Sequence, residues 1–339
     1  MDLELKNISV TLSHKKILKS IDLKVENGEF ISLLGASGCG KSTLLKTIAG
    51  IINQSEGSIM LGGELLDSIP THKRGTVIVF QDFRLFPHMS VAENISFPLR
   101  MKGIDKVECR KNASELLQKV KLEGFEDRNV DEISGGQIQR VALARAFAAK
   151  PTVLLLDEPF SSLDFNLRKD MRELVLGLQR EYRITTILVT HDHEEALTMS
   201  DRIAFMHNGQ IEQFATPENI FNNPVNTIVA DYFSEGVYID GKVENSNFVS
   251  KLFSCIIDKE NGRYKCLVKP TAVKIKKSEN PDFLVMDKVY QGENYLLKLK
   301  NLNNNFKLES IVSDSAGIEK GEKVNIEFDK NKLIFIQEN

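Results

Sequence analysis

Residues 29–43, EFISLLGASGCGKST, constrain this chain more than any other stretch. Phe30, Ile31, Leu33 and Leu34 make a mostly apolar run, glycines stand at 35, 38 and 40, and the helical pattern TLLKTIAG follows. Gly35 to Ser42 fit G-x-x-x-x-G-K-[ST] in full, after a strand and before a helix, the two contexts that pattern requires. Glycines permit a tight loop whose backbone N–H groups surround an anion, and a helix starting directly behind it adds the favourable end of its dipole. Gly35, Ala36, Ser37, Gly38, Cys39 and Gly40 are therefore read as a phosphate cradle. Lys41 supplies charge to the β and γ oxygens, and Ser42 is placed to ligate Mg²⁺. The plainer alternative is a glycine-rich turn formed by chance, which the flanking strand and helix oppose. Cys39 reads as a small residue inside the loop rather than a nucleophile.

A strand feeding a loop and then a helix demands an α/β architecture, and the rest of the first part complies. The apolar strands EFISLL, TVIVF, TVLLLD and TTILVT alternate with helical patterns, the signal of a parallel sheet wrapped by helices. Val153 to Leu156 form a buried strand ending in Asp157, where a carboxylate can hold Mg²⁺ directly or through its water. Glu158 follows at once and, not being needed for the metal, is the candidate to orient a water and accept its proton. A solvated strand end is the plainer reading of that acidic pair. Two further strands end in a polar residue: LVTHDHEEA in His191 and VIVFQDFRLFP in Gln81. By position alone His191 reads as a structural hydrogen-bonding group, and Gln81 as an amide able to reach a metal or water. In DEISGGQIQR, Ser134 and Gln137 fit a capping box at a helix start. Gly135 and Gly136 then occupy its first turn, where glycine is less favourable than alanine by up to about 1 kcal/mol, so an approaching anion is a candidate benefit.

With 339 residues, two domains are expected. A hydrophobic fraction of 42% and a charged fraction of 27% argue against disorder and fibrous repeats. A net charge of -3 and a sequence pI of about 6.1 give no basic excess to hold nucleic acid. Cysteines at 39, 109, 255 and 266 are too scattered for a zinc pair and too few for a disulfide framework, which fits a reducing compartment. The start MDLELKNISV lacks the pattern of a secretory leader, and no run approaches the ~18 apolar residues of a membrane span. The helical stripes Leu167, Met171, Leu174, Leu178 and Ala113, Leu116, Leu117, Val120 read as core faces. Strand-like runs vanish between FPHMS and DEISGG, so residues 88–150 read as a mainly helical insertion. After ADYFSEG the runs YKCLVK, DFLVMDKVY, NYLLKLK and VNIEFDKNKLIFI predict a small β sandwich or barrel, with the boundary near Gly236. The expected domains are therefore 1–235 and 236–339.

Taken together, these residues resemble the ATP-binding subunits of ABC transporters. Gly35 to Thr43 are similar to that family's Walker A loop, Gln81 to its Q-loop and SGGQ, Ser134 to Gln137, to its signature. LLLDEP resembles its Walker B, SSLD, ending in Asp164, its D-loop, and His191 its switch histidine. All six occur in the family's order across about the first 230 residues. The resemblance implies a P-loop NTPase fold and ATP hydrolysis with Glu158 as general base. It further implies His191 on the γ-phosphate, and Gln81 as a Mg²⁺ contact linked to a membrane partner. It also implies a head-to-tail dimer in which Ser134, Gly135 and Gly136 meet the phosphate held by the other protomer's Lys41. A homodimer is the simplest form of that expectation. The tail runs VKPTAVKI, VYQGENYLLKL and GEKVNIEFDKNKLIFI, with FPHMSVAENISFPL, resemble importer ATPases carrying a TOBE-type, OB-like β domain. That likeness implies a motor at the cytoplasmic face of the cell membrane, bound to permease subunits and served by an extracytoplasmic substrate-binding protein. Polyamine and iron(III) are the two substrate readings. The competing functions are a soluble ABC-type ATPase of translation or DNA repair, and an exporter motor.

The chain also departs from the family pattern. The family usually stacks adenine on an aromatic near position 12, whereas Leu12 stands there, no aromatic precedes Phe30, and His14 is the candidate substitute. Ile133 and Ile138 replace the usual Leu and Gln beside SGGQ, leaving the phosphate-facing residues intact.

Overall fold

The computed structural model describes residues 1–161, 163–276, 280–313 and 317–338. It divides into two compact units, Met1–Pro217 and Glu218–Asn339. In the first, β1 (Leu3–Leu12) and β2 (Lys15–Val25) form a hairpin whose two-residue turn, Ser13–His14, has positive φ at both positions. After β3 (Phe30–Leu34) and α1 (Lys41–Ile48), the strands β4 (Glu56–Leu61) and β5 (Glu64–Leu65) join that hairpin in an antiparallel sheet ordered β2-β1-β4-β5.

The second sheet positions the site. It takes β3 together with β6 (Thr76–Val79), β7 (Val153–Asp157), β8 (Thr185–Thr190), β9 (Arg202–His207) and β10 (Gln210–Ala215), in the order β10-β9-β3-β8-β7-β6. All its pairings are parallel except the β9–β10 hairpin. Strands covered on both faces read as unbroken apolar runs, and here successive residues feed opposite cores. Leu154 and Leu156 join a core with Phe30 and Leu188, whereas Val153 and Leu155 join one with Ile31, Leu33, Leu44 and Ile187. The first core is closed by α2 (Val91–Met101), α3 (Lys106–Lys119), α4 (Gly135–Ala148) and α5 (Phe165–Tyr182), and α6 (His193–Met199) follows β8. Between Val79 and Val153 the named elements longer than one 3₁₀ turn are α2, α3 and α4.

The helix behind the glycine loop is fixed at its far end as well. Gly50, at φ +76°, closes α1 in the left-handed conformation, and its N–H bonds the Thr47 carbonyl at 3.0 Å. Arg74, 5% exposed, donates to the last-turn carbonyls of Thr47 (3.4 Å) and Ile48 (3.3 Å) and to Ile69 (2.9 Å). A Cβ on Gly50 would lie 2.5 Å from the Arg74 guanidinium carbon, so glycine is required twice over there.

The second unit begins within α7 (Pro217–Asn222) and continues with α8 (Thr227–Phe233), the latter capped by Asn226. Its strands are β11 (Val237–Glu244), β12 (Asn247–Ser250), β13 (Ser254–Ile256), β14 (Gly262–Val268) and β15 (Val273–Lys276). They continue as β16 (Phe283–Tyr290), β17 (Asn294–Asn301), β18 (Lys307–Ser313), β19 (Lys323–Phe328) and β20 (Ile334–Gln337). They make two antiparallel sheets, β13-β12-β11-β14-β20 and β15-β19-β16-β17-β18. In the latter, Ser310 of β18 donates to the Val273 carbonyl of β15 at 2.7 Å, drawing the first and last strands together. The division by contacts falls earlier in the chain than the change of texture near Gly236. The reason is that Ala230 of α8 packs with Leu267, Ile334 and Ile336 of the β strands.

Arg74→Met is expected to lower stability by about 2 kcal/mol, the scale of hydrogen bonds from a charged donor to buried carbonyls. Urea unfolding checks this: the midpoint should drop while the slope stays constant.

Candidate active site

The ends of β3, β6, β7 and β8 reach one edge of the parallel sheet, where α/β proteins bind ligands. Gly35 leaves β3 at φ +152°, where a Cβ would lie 2.2 Å from the Met206 carbonyl oxygen; Gly40, at φ +108°, would press Leu18 at 2.7 Å. The backbone of β9 and the Leu18 side chain thus mould the loop from below. Gly38, at φ +80°, faces open space. Lys41, 5% exposed, donates from Nζ to the carbonyls of Gly35 (2.7 Å) and Ala36 (3.0 Å). Its ammonium is thereby held inside the loop that also presents Ser37, Gly38 and Cys39, and Cys39 is a buried thiol there.

Ser42 donates from Oγ to Asp157 Oδ1 at 2.9 Å, joining the start of α1 to the end of β7. Gln81 donates from Nε2 to Ser161 Oγ at 3.0 Å, which leaves its carbonyl oxygen as an acceptor, and Ser161 donates to the Glu158 carbonyl at 3.1 Å. Among the described residues no group of three or more His, Cys, Asp or Glu side chains could hold a metal. A hydroxyl, one carboxylate and an amide oxygen instead fit Mg²⁺, which takes its remaining oxygens from water and phosphates.

Glu158 has φ +49°, a left-handed backbone that costs a non-glycine residue about 1–3 kcal/mol and persists only where its surroundings hold it. Its N–H bonds the Val189 carbonyl at 3.0 Å, pinning the turn to β8. Glu158 Oε2 then lies 3.4 Å from His191 Nδ1, the glutamate 27% and the histidine 56% exposed. A carboxylate beside an imidazole at an open strand edge can take a proton from water and keep the ring oriented. Asp164 caps α5, accepting from the Leu167 N–H at 3.0 Å; Ser162 lies outside the described residues.

The segment from Ser134 to Gln137 stands apart: among the described residues no hydrogen bond joins these four to Lys41, Asp157 or Glu158. At this helix start the Ser134 N–H bonds Gln137 Oε1 at 2.9 Å, and the Ile138 N–H bonds the Ser134 carbonyl at 2.8 Å. The two glycines differ. A Cβ on Gly136 would lie 2.6 Å from Leu167, whereas on Gly135 it would meet nothing within 4 Å. Packing within the chain thus favours glycine at 136, whereas a methyl group at 135 would stand in open space. Leu12 and His14 are both exposed at the β1–β2 hairpin.

Three participants were not evident from spacing. Ser161 links Gln81 to Glu158, and Gln139, wholly buried, donates to the Pro159 carbonyl. Asp192 caps α6 through the N–H groups of Glu194 (2.8 Å) and Glu195 (3.3 Å). Only Asp192 had a local signal, an acid three residues before Glu195 at a helix start.

A family model described as ABC transporter matches residues 18–161. The chain is 43% identical over 307 residues to the spermidine/putrescine import ATP-binding protein PotA of Mesoplasma florum, covering 87% of each chain. It is 39% identical over 328 residues to the protein of that name from Clostridium acetobutylicum, covering 94% of this chain and 93% of the relative. Among solved structures, it is similar to dimeric MJ0796 bound to ADP and Pi, an ATP-binding cassette in a post-hydrolysis state. The TM-score is 0.58 at 32% identity, over 63% of this chain and 98% of the other.

Gly135→Ala is expected to leave thermal stability level or raised, since alanine is the better helix former by up to about 1 kcal/mol. ATP hydrolysis is nevertheless expected to fall about tenfold or more, since a methyl group would fill space that glycine leaves open to an approaching anion. Calorimetry and a phosphate-release assay on one preparation check both halves.

Proposed function

The chain belongs to the ABC transporter family as the ATP-hydrolysing motor subunit of an importer, and we propose that this importer carries polyamines. Support for the substrate is the name shared by relatives of 38–43% identity, spermidine/putrescine import ATP-binding protein. The observation that carries the catalytic reading is the meeting of Lys41, the Ser42–Asp157 pair and the Glu158–His191 pair at one strand edge.

In this reading the N–H groups of Gly35 to Thr43 and the Lys41 ammonium bind the β and γ phosphates. Ser42, Asp157 and Gln81 would hold Mg²⁺, which supplies positive charge to the phosphate oxygens when bound. Glu158 Oε accepts a proton from the attacking water, and His191 holds the γ-phosphate while keeping Glu158 in place. Ser134, Gly135, Gly136 and Gln137 close the site from a second copy, with Asp164 fixing the approach at the dimer seam. One chain carrying both halves makes two such sites in an isologous homodimer.

An importer motor acts on a membrane permease. Beside Gln81 lies a cleft of about 310 Å³ lined by Phe80, Phe83, Phe86, Phe97, Arg84 and Arg145. Its apolar wall with two cations suits a short permease segment, and its position next to Gln81 supports transmission between that segment and the phosphates. Among the described residues no helix is long and apolar enough to cross a membrane. The proposed location is accordingly peripheral, on the cytoplasmic face, with a substrate-binding protein delivering cargo from the other side.

In vesicles reconstituted with the permease and binding protein, ATP should drive uptake of labelled spermidine. Glu158→Gln should abolish both uptake and hydrolysis; undiminished hydrolysis in that variant would falsify the assignment of the base. Mixing Ser134→Arg chains with Lys41→Ala chains should restore hydrolysis, because each mixed dimer keeps one intact composite site; a mixture as inactive as its components would exclude the shared site.

A further inference from the structure

Arg168 lies one turn into α5, and its guanidinium reaches two loops at once. Nη2 donates to the Leu163 carbonyl at 3.1 Å, and Nη1 lies 3.5 Å from Asp192 Oδ2, with both side chains about 30% exposed. Asp192 directly follows His191, and the turn after that histidine carries ties of its own. Thr190 Oγ1 donates to Glu195 Oε2 at 2.7 Å and accepts from the Asp192 N–H at 3.0 Å, while Asp192 Oδ1 caps α6. Glu195 is 4% exposed, and burial raises its pKa above the ordinary carboxylate range. A second tie from α5, Arg172 to Glu194 at 3.4 Å, ends on a glutamate that is 63% exposed.

Stability is a poor account of the Arg168 fork. Partly exposed ion pairs contribute little to stability. Arg168 Nε is also buried without an acceptor among the described residues, a cost that a purely structural group would avoid. What the fork does have is place: Glu158, Ser161, Arg168, Thr190, His191 and Asp192 face one small cavity.

We propose that Arg168 is a positioning residue: by holding the Leu163 carbonyl and Asp192 together, it sets the His191 turn against Glu158 in the geometry hydrolysis needs. This rests on the reading of Glu158 and His191 given above. Arginine suits the task because its planar fork serves two acceptors in fixed directions, whereas a lysine ammonium is a single flexible point charge. A displacement of about 1 Å between reacting groups can lower a rate by as much as a hundredfold, so a weak ion pair can matter greatly to rate.

The test is steady-state ATP hydrolysis by the full-length chain. Arg168→Met should lower kcat about tenfold, with KM for ATP within about twofold and the melting temperature within a few degrees. Arg168→Lys should fall between Arg168→Met and the wild type. Asp192→Asn keeps the helix-capping oxygen but loses the charge, and should lower kcat as Arg168→Met does. The double variant should fall no further than the lower single, because both break one link. Should Arg168→Met fail to fold, Arg168→Lys and Asp192→Asn carry the test. Wild-type kcat in the Arg168 variants, a change confined to KM, or losses that multiply in the double variant would each overturn the proposal. Glu158→Gln measured alongside separates the two claims: if it still hydrolyses ATP, the underlying reading fails. If it is inactive while the Arg168 variants are normal, this inference alone fails.

Discussion

Three buried strands, β3, β8 and β7, pair in parallel, and their pairing decides where each reactive side chain comes to lie. Parallel strands end at the same edge, so Gly35, His191 and Asp157 emerge together although they are far apart in the chain. The 2.9 Å bond between Ser42 and Asp157 then spans 115 positions of sequence and bridges over β8, which lies between their strands. Shifting a strand by one residue would exchange its two core faces. Leu154 and Leu156 would then meet the packing around Leu44 and Ile48 instead of that of α4 and α5. The burial of these runs therefore fixes the site's register as firmly as it fixes the fold.

The same physics explains what could be read in advance. Strands β3, β6, β7 and β8 are mostly apolar runs, and Gln81, Asp157 and His191 are conspicuous because they follow three of them directly or nearly so. The N-terminal antiparallel sheet has no such signal. Its pairing shifts register between Leu5 and Ile8 and again between Ile8 and Val10, so alternation fails within β1. Links made by folding were silent as well. Gln81 meets Ser161 across 80 positions, and the value of Arg168 lies in two acceptors on separate loops. In the tail, short β runs announced the architecture, but nothing local revealed that α8 packs with Leu267 and Ile334.

Strain and support are divided in a recognisable way around the strand edge. Glu158 carries an unfavourable backbone conformation, and its neighbours are tied down: its N–H by Val189, its carbonyl by Ser161 and the next carbonyl by Gln139. A left-handed glutamate without those ties would relax and turn its carboxylate elsewhere. The ties come from β8, from the segment after β7 and from α4, so three parts of the unit cooperate in holding one side chain.

Helix α4 is the part whose role reaches furthest. Its start carries two glycines that the chain uses differently: Gly136 admits Leu167, and Gly135 opens onto nothing the protomer supplies. An exposed helix N-terminus is suited to receive an anion from outside. Five residues after Ser134, Gln139 of the same helix is bonded to the Pro159 carbonyl, directly beyond Glu158. Whatever pulls on the exposed start of α4 therefore acts on the backbone behind the proposed base.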